Sequence, residues 1–516
     1  MRRSGILLHP TSLPGLAGIG SIGAPAREFV RFLAAAQQTV WQMLPLVPTD
    51  DGGCPYNSTS AMASNTRLID LHDLCKPEFG CILTWDDLND APRPEREDMA
   101  DFEMAGNYKN AKLALALDRL KAGNDDVHKG MRKGFEDFCK ANAKWLDDFA
   151  LFDVLQATRE EGPLWINWPK GLRDRDKKAI AKATQDYAAD IELRKFAQYI
   201  FRCQWDALRN MAREHHIKIM GDVPIFVSHN SVDVWCHRDL FELDANGFPG
   251  SVSGAPPDCF AEEGQLWGNP LYNWKKLAET GYEWWIDRLT ALNNLVDIVR
   301  IDHFRGFEAF WSILATEKTA VNGHWVKGPG IAFFNAVAKA LPNLEIIAED
   351  LGVITEEVDK LRKDAGFPGM RVIQFGFPYH EANDHHALHM HTLDSVVYCG
   401  THDNDTTVGW YLSLNEGQRD KIRRYLSIDG NEIAWQMMRA AQSSCGELCI
   451  VTVQDLLSLG SEARMNVPGL AKGNWTWRFT YALPGWIADR LRDITELYGR
   501  APWQQTVIVP EVEVKG

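Results

Sequence analysis

Five short apolar runs of the sequence end in acidic residues, and these carboxylates are the groups most able to do chemistry. The acid-bearing ends are Gly221-Asp222, Arg300-Ile301-Asp302-His303, Ala348-Glu349-Asp350, Gly400-Thr401-His402-Asp403-Asn404 and Gln454-Asp455. A single acid at a strand end most often caps the following helix. Four acids at different strand ends, with Arg and His beside them, instead predict one pocket, since parallel barrel strands present their carboxyl ends on one face. The predicted pocket contains Asp222, Asp302, Glu349 and Asp403.

Such a ring of carboxylates suits two kinds of chemistry. Glycoside transfer needs two carboxyl groups beside the anomeric carbon, one as nucleophile and one as proton donor. A metal site also uses several carboxylates. Arg300 lies two residues before Asp302, so both side chains face the same side of a strand. Its fixed charge would repel a divalent cation and keep Asp302 ionised, so we expect a nucleophile and no metal.

The elements that must position these acids alternate between apolar runs and helix-like segments. Eight strands are predicted at 6–8, 43–46, 217–220, 298–301, 344–347, 372–375, 396–399 and 448–451. Helical spacing joins Phe29, Leu33 and Gln37, and further on Phe333, Val337 and Leu341. Alternation of this kind predicts a parallel sheet, and eight units predict a (β/α)8 TIM barrel of the α/β class. An open doubly wound sheet is the alternative.

Two spacings between the predicted strands are too long for simple crossovers. The stretch 72–195 carries apolar residues at i, i+4 and i+7, which predicts helices. The three sets are Leu113, Leu117 and Leu120, then Met131, Phe135 and Phe138, then Trp145, Phe149 and Phe152. We therefore predict 1–71 as the first part of the barrel, 72–195 as an inserted helical subdomain and 196–516 as the rest. Within the last part, 229–275 is rich in Gly, Pro and Trp and predicts a large loop over the substrate cleft.

Composition restricts the class of partner. The 516 residues include 55 basic and 70 acidic ones, a formal net charge of −15. Nucleic acid and anionic membrane surfaces both favour a cationic face, so neither is expected as a partner. No apolar run reaches the 18 residues of a membrane span. The ten cysteines form no C-x-x-C pair, and the apolar run at the N-terminus is too short for a signal peptide, so we predict reduced thiols and a cytoplasmic protein.

Longer motifs give the sequence a family resemblance. They are 9–14 (HPTSLP), 41–46 (WQMLPL), 55–56 (PY), 68–71 (LIDL), 221–225 (GDVPI), 254–258 (GAPPD), 264–272 (GQLWGNPLY), 300–306 (RIDHFRG), 348–352 (AEDLG), 400–404 (GTHDN) and 464–469 (RMNVPG). With these motifs the chain resembles the amylomaltases, or 4-α-glucanotransferases (disproportionating enzymes), of the α-amylase clan. The acidic motifs alone indicate only the clan, whereas the run 264–272 is far more specific.

The resemblance implies a role for each site residue. Asp302 is the nucleophile of a retaining reaction, Glu349 the general acid and then base, and Asp403 the third carboxylate, which holds sugar hydroxyls. The implied substrate-binding residues are Tyr56, Asp222, Asp258, Phe260, Trp267, Arg300, His303, His402 and Asn466. A proton donor must be neutral at neutral pH, so Glu349 should have a raised pKa. The implied substrates are maltooligosaccharides and glucans derived from starch or glycogen, with no cofactor, no metal and no obligate protein partner.

Some features depart from the family pattern or leave alternatives open. Cys54, Asn57 and Cys259 stand where Ser, Gln and Tyr are usual, which affects acceptor-side contacts rather than the reaction type. A hydrolase of the same clan and a non-catalytic glucan-binding protein are the alternative functions. The intact set of three acids argues against the second alternative. The histidines at 385, 386, 389 and 391 form a further cluster, which we interpret as a solvated surface segment.

Overall fold

The computed structural model describes residues 2–257, 261–377, 384–470 and 472–502. The strands are β1 (Arg3–Leu7), β2 (Val40–Gln42), β3 (Lys218–Pro224), β4 (Ser251–Ala255), β5 (Gln265–Pro270), β6 (Ile298–Asp302), β7 (Ala309–Leu314), β8 (His324–Lys327), β9 (Glu345–Ala348), β10 (Gly369–Val372), β11 (Ser395–Tyr398) and β12 (Leu448–Thr452). The longer helices are α1 (Ala24–Ala35), α2 (Phe102–Ala122), α3 (Asp126–Thr158), α4 (Lys170–Arg173), α5 (Lys177–Asp186), α6 (Ala188–Glu214), α7 (Val232–Cys236), α8 (Trp274–Glu279), α9 (Glu283–Asn293), α10 (Ile331–Ala340), α11 (Glu356–Asp364), α12 (Thr407–Ser413), α13 (Glu416–Leu426), α14 (Ile433–Ser443), α15 (Val453–Leu456) and α16 (Gly485–Leu497).

Eight of these strands form one parallel sheet that curls into a nearly closed barrel. Their order is β10-β11-β12-β1-β2-β3-β6-β9. The two end strands meet where Ala348 N donates to Pro368 O at 3.0 Å. Strands such as β11 and β12 are buried at every position, as expected for parallel strands covered on both faces. The predicted (β/α)8 barrel is confirmed, and the open-sheet alternative is wrong.

Two of the predicted strands are displaced by a few residues from the strands that the structure contains. The run 43–46 follows β2 rather than forming it, because Pro45 cannot donate to a sheet ladder. The run 372–375 begins at the last residue of β10 and continues as a short 3-10 turn over Ile373–Gly376. Apolar character alone locates such elements within a few residues, since turns beside a barrel are as buried as its strands.

The helices predicted between β2 and β3 are confirmed. Leu113, Leu117 and Leu120 lie on α2, and the other two apolar sets lie on α3. Helix α3 packs along α6, with the rings of Phe135 and Phe196 at 5.8 Å. Helix α6 is continuous across residue 195, so the inserted helices and the barrel share one helix. The division at 71 and 195 remains a proposal.

The region 229–275 contains secondary structure that the sequence did not reveal. It supplies β4 and β5, which join β7 and β8 in an antiparallel sheet of order β5-β4-β7-β8. Strand β7 begins seven residues after β6 ends, so this sheet lies at the carboxyl end of the barrel. Gly and Pro punctuate these short strands, so the sequence pattern predicts a loop instead.

Two buried glutamines on α6 hold the segment that follows β2. The side-chain amide of Gln198 accepts from Ser64 N and donates to Ser64 O, at 2.9 and 2.8 Å. Gln204 does the same with the backbone of Asp70, at 2.8 Å for both bonds. Each amide therefore mimics a strand partner and satisfies a buried N–H and C=O.

We expect Gln204→Leu to lower the free energy of unfolding by about 2–6 kcal/mol, because it leaves two buried backbone groups of Asp70 unpaired and each costs about 1–3 kcal/mol. Urea denaturation followed by circular dichroism measures this. Gln185→Leu, at an exposed position of α5, is the matched control and should change stability by less than about 0.5 kcal/mol. Equal effects of the two variants would show that the hydrogen bonds of Gln204 to the Asp70 backbone contribute nothing to stability.

Candidate active site

Four barrel strands place acids at one mouth of the barrel. Asp222 lies near the end of β3, Asp302 ends β6, Glu349 directly follows β9, and Asp403 comes five residues after β11. Strands β3, β6 and β9 are neighbours in the sheet, and Asp222 is in register with Arg300 of β6. The predicted convergence of these acids is thus present in the fold.

A buried arginine connects two of the acids. Arg300 Nη1 lies 2.5 Å from Asp222 Oδ2, and Nη2 lies 3.0 Å from Asp302 Oδ1. The Arg300 side chain is 3% exposed and that of Asp222 is fully buried, whereas the Asp302 side chain is 28% exposed. Asp302 therefore faces the cleft while Arg300 and Asp222 form the layer behind it.

Glu349 is held by backbone donors. His303 N donates to Glu349 Oε2 at 2.7 Å, and Leu351 N donates to Oε1 at 2.9 Å. His303 has a φ of +52°, a left-handed conformation that is uncommon for residues other than glycine and is often found at functional sites. This turn directly after β6 aims the His303 N–H at Glu349, and sequence reasoning gave no signal of it.

A second group of polar residues surrounds Asp403. Asn466 Nδ2 donates to Asp403 Oδ1 at 2.6 Å, and His402 Nε2 lies 3.4 Å from Oδ2. Arg464 donates to the Asp403 carbonyl at 2.7 Å, a contact that sequence reasoning missed. The Asp403 side chain is 43% exposed, so this anchored carboxylate remains open to the cleft.

Tyr56 joins the two groups. Its hydroxyl donates to Asp222 Oδ2 at 2.7 Å and lies 2.9 Å from His402 Nε2. The rings of Tyr56 and His402 stack at 5.4 Å with an angle of 9° between their planes. The result is one continuous network from Asp302 through Arg300, Asp222 and Tyr56 to His402 and Asp403.

One aromatic side chain of the antiparallel sheet lies beside the acids. Trp267, on β5, meets the ring of His303 edge to face at 4.8 Å and is 36% exposed. The antiparallel sheet therefore brings this tryptophan beside His303. Asp258, Cys259 and Phe260 lie outside the described residues.

Burial controls the protonation of the site. It raises the pKa of Glu349, against the opposing effects of Arg300 and the two backbone donors. Burial also raises the pKa of Asp302, helped by Asp222, Glu349 and Asp403 and opposed by Arg300. The sequence predicts that Arg300 keeps Asp302 ionised, but desolvation and three nearby carboxylates outweigh one guanidinium.

Burial also keeps the two histidines of the site neutral. It lowers the pKa of His303 to about 3 and lowers that of His402 as well. Neutral imidazoles can donate or accept a hydrogen bond, which suits contacts with hydroxyl groups. In the described part of the chain, His303 Nε2 has no hydrogen-bond partner, so a bound hydroxyl could supply one.

Potential metal ligands lie elsewhere. Within the described ranges, the ligand atoms that come close enough to hold an ion belong to Asp384, His385 and His386, near none of the four predicted acids in sequence. His386 Nδ1 already accepts from Val372 N at 3.2 Å. His386 and His391 are buried, so the prediction of a solvated histidine segment is wrong for these two. His391 Nδ1 lies 2.7 Å from Ser444 Oγ, at the end of α14, so this ring packs against that helix rather than facing solvent.

The comparisons with known proteins agree on one family. The family model described as 4-alpha-glucanotransferase matches residues 8–483. A 4-alpha-glucanotransferase of Synechocystis sp. is 44% identical over 97% of this chain and 98% of its own length. A chloroplastic/amyloplastic 4-alpha-glucanotransferase of Arabidopsis thaliana is 42% identical over 97% of this chain and 86% of its own.

A solved structure extends the agreement to three dimensions. The amylomaltase of Streptococcus agalactiae in complex with acarbose superposes with a TM-score of 0.92 at 35% identity, covering 97% of this chain and 100% of that one. Separately, no helix among the described residues is long and apolar enough to cross a membrane. By sequence and by structure, the chain belongs to the 4-alpha-glucanotransferase family, enzymes acting on α-1,4-glucans.

Proposed function

We propose that this 4-α-glucanotransferase moves an α-1,4-glucan segment from a donor to the 4-hydroxyl of an acceptor glucose or maltooligosaccharide, through a covalent glycosyl intermediate on Asp302. The observation that carries the proposal is a cleft-facing Asp302 at the end of β6 beside Glu349, which follows the neighbouring strand β9. Arg300 contacts Asp302 and not the Glu349 carboxylate at hydrogen-bonding distance. Of the two carboxylates, Asp302 is therefore the better stabilised as an anion, and we assign the catalytic proton to Glu349.

The first half of the reaction breaks one bond and forms another. Asp302 attacks the anomeric carbon as the C1–O4 bond breaks, and the Glu349 proton moves to the departing O4. In the second half the acceptor 4-hydroxyl gives its proton to Glu349 and attacks the same carbon, which frees the Asp302 carboxylate. Two inversions retain the α configuration. These steps need no cofactor.

The remaining site residues suit the binding of sugar hydroxyls. We assign Asp403, held by Asn466, to hydroxyl contacts beside the reacting carbon, and the half-buried ring of Tyr56 to a sugar face. Asp222, Arg300, His303 and His402 complete that subsite. Trp267 would stack on the acceptor side. The bound acarbose of the streptococcal relative supports maltooligosaccharides, and glucans derived from starch or glycogen, as the substrate class.

Maltotriose alone should yield glucose and a ladder of longer maltooligosaccharides while total reducing ends stay nearly constant, because each transfer makes one glycosidic bond for each one broken. Transfer must outcompete water by positioning, and well-oriented groups reach effective molarities of about 10⁵ M or more. Chromatography and a reducing-end assay on one time course test this. If reducing ends instead rise with each glucose released, the protein is a hydrolase.

Trp267→Ala should raise the hydrolysis share of the products, since an acceptor that lacks its stacking partner competes less well with water. The ratio of reducing ends gained to glucose released measures that share. Trp325→Ala is the matched control, since Trp325 is 38% exposed on β8, at the opposite edge of the same sheet. An unchanged ratio in Trp267→Ala would show that Trp267 does not stack on the acceptor.

A further inference from the structure

A second cavity lies between the inserted helices and the outside of the barrel. It has a volume of about 500 Å³ and is enclosed by α3, α6, α7 and α9. We call it the junction cavity, and its walls include Ser64, Phe138, Trp145, Asp233, Trp284 and Thr290. Ligand sites usually measure about 300–1,000 Å³ and combine aromatic walls with a few polar groups. None of the assigned catalytic acids lines it.

Most of the charged residues around the junction cavity are held in ion pairs. Lys144 Nζ, on α3, contacts Glu283 at 2.8 Å and Asp287 at 2.6 Å, both on α9. Asp148 contacts Arg175 at 2.6 Å. Paired charges leave little attraction for an ionic ligand, and the excess of acids in the walls disfavours an anion. The cavity is therefore suited to a neutral ligand.

The interior offers the two features that sugar rings require. Phe138 and Trp145 provide apolar faces, and the Trp145 ring is held in place by its Nε1 bond to Asn142 Oδ1 at 3.2 Å. Asp233 is buried and accepts from Ala61 N at 2.8 Å, and burial raises its pKa to about 6. The indole N–H of Trp284 is buried with no partner among the described residues. Buried polar groups of this kind normally meet a protein, water or ligand partner.

We propose that the junction cavity is a second glucan-binding site, distinct from the catalytic cleft, which takes one or two glucose units of a maltooligosaccharide. Stacking on Trp145 and hydrogen bonds to Asp233 and Thr290 hold the sugar. The wall is tied to the cleft through the segment after Tyr56, because Val232 N donates to Thr59 O at 2.9 Å and Asp233 accepts from Ala61 N. One chain segment thus borders both sites.

Calorimetry of the full-length Asp302→Asn variant with maltotriose tests the proposal without turnover. We expect two binding events. Adding Trp145→Ala should weaken the second about tenfold and leave the first unchanged. Trp85→Ala, at a tryptophan that is 59% exposed and outside the cavity, is the matched control. Ala141→Trp obstructs the mouth from an exposed position of α3, so it repeats the test without removing a wall.

A crystal of the Asp302→Asn variant soaked in maltotriose locates the second event, and density between α3 and α9 is the expected result. A single binding event, or a second event that neither Trp145→Ala nor Ala141→Trp weakens, would overturn the proposal. Titration of the same variant with 1,4-diaminobutane is a third experiment. Binding of that dication in the junction cavity in place of maltotriose would assign the cavity to organic cations and overturn the glucan assignment.

Discussion

Asp302→Asn should reduce maltotriose turnover by at least about 10⁴-fold while the protein remains folded, because an amide cannot form the glycosyl ester and covalent catalysis is lost. Asn keeps the shape of the side chain and can still contact Arg300. The Arg300 and Asp222 side chains behind it are buried and paired with each other. Product chromatography with a thermal scan of the same sample separates loss of chemistry from loss of fold.

The matched control for this variant is Asp364→Asn, which removes a surface acid that pairs with Lys360 on α11. Exposed pairs of this kind contribute about 0–1 kcal/mol, so activity and unfolding temperature should stay near the parent values. Activity of Asp302→Asn above about one tenth of the parent would assign the nucleophile to another residue. The nearest alternative is Asp403, the other cleft-facing carboxylate.

The parallel barrel was predictable because its strands are buried on both faces and read as continuous apolar runs. The antiparallel sheet was not predictable in the same way. Strand β5 exposes Leu266 and Trp267, and β4 pairs with it in an irregular register. Neither strand has the regular alternation that marks a half-buried strand.

The strand-end acids were predictable because position along a barrel strand carries chemical information. Their electrostatic balance was not, since it depends on the enclosed volume around them. The sequence places Arg300 beside Asp302 but does not show that Asp222 occupies the other side of that guanidinium, at 2.5 Å. Nor does it show the backbone donors to Glu349, because a left-handed His303 has no sequence signature. Asp258 and Phe260 stay predictions.

Glu349→Gln should lose nearly all activity on maltotriose yet still react with an α-glucosyl fluoride, because fluoride departs with little acid help. The intermediate on Asp302 should then accumulate, since no base activates the acceptor. Mass spectrometry of the intact protein would detect an added glucosyl group on most molecules. A folded variant with no adduct would contradict the assignment of Glu349 as acid and base.

The pH dependence of adduct formation sharpens this test. The nucleophile must be ionised, so the rate should fall as pH decreases through the pKa of Asp302, which burial raises above its usual range. The parent enzyme on maltotriose should also lose rate as pH rises through the raised pKa of Glu349, because the proton donor is then lost. The amide in the Glu349→Gln variant cannot titrate, so the rate of adduct formation should stay level at high pH. A fall on the alkaline side of the variant's profile would mean that another group supplies the proton, and the assignment of the catalytic proton to Glu349 would be wrong.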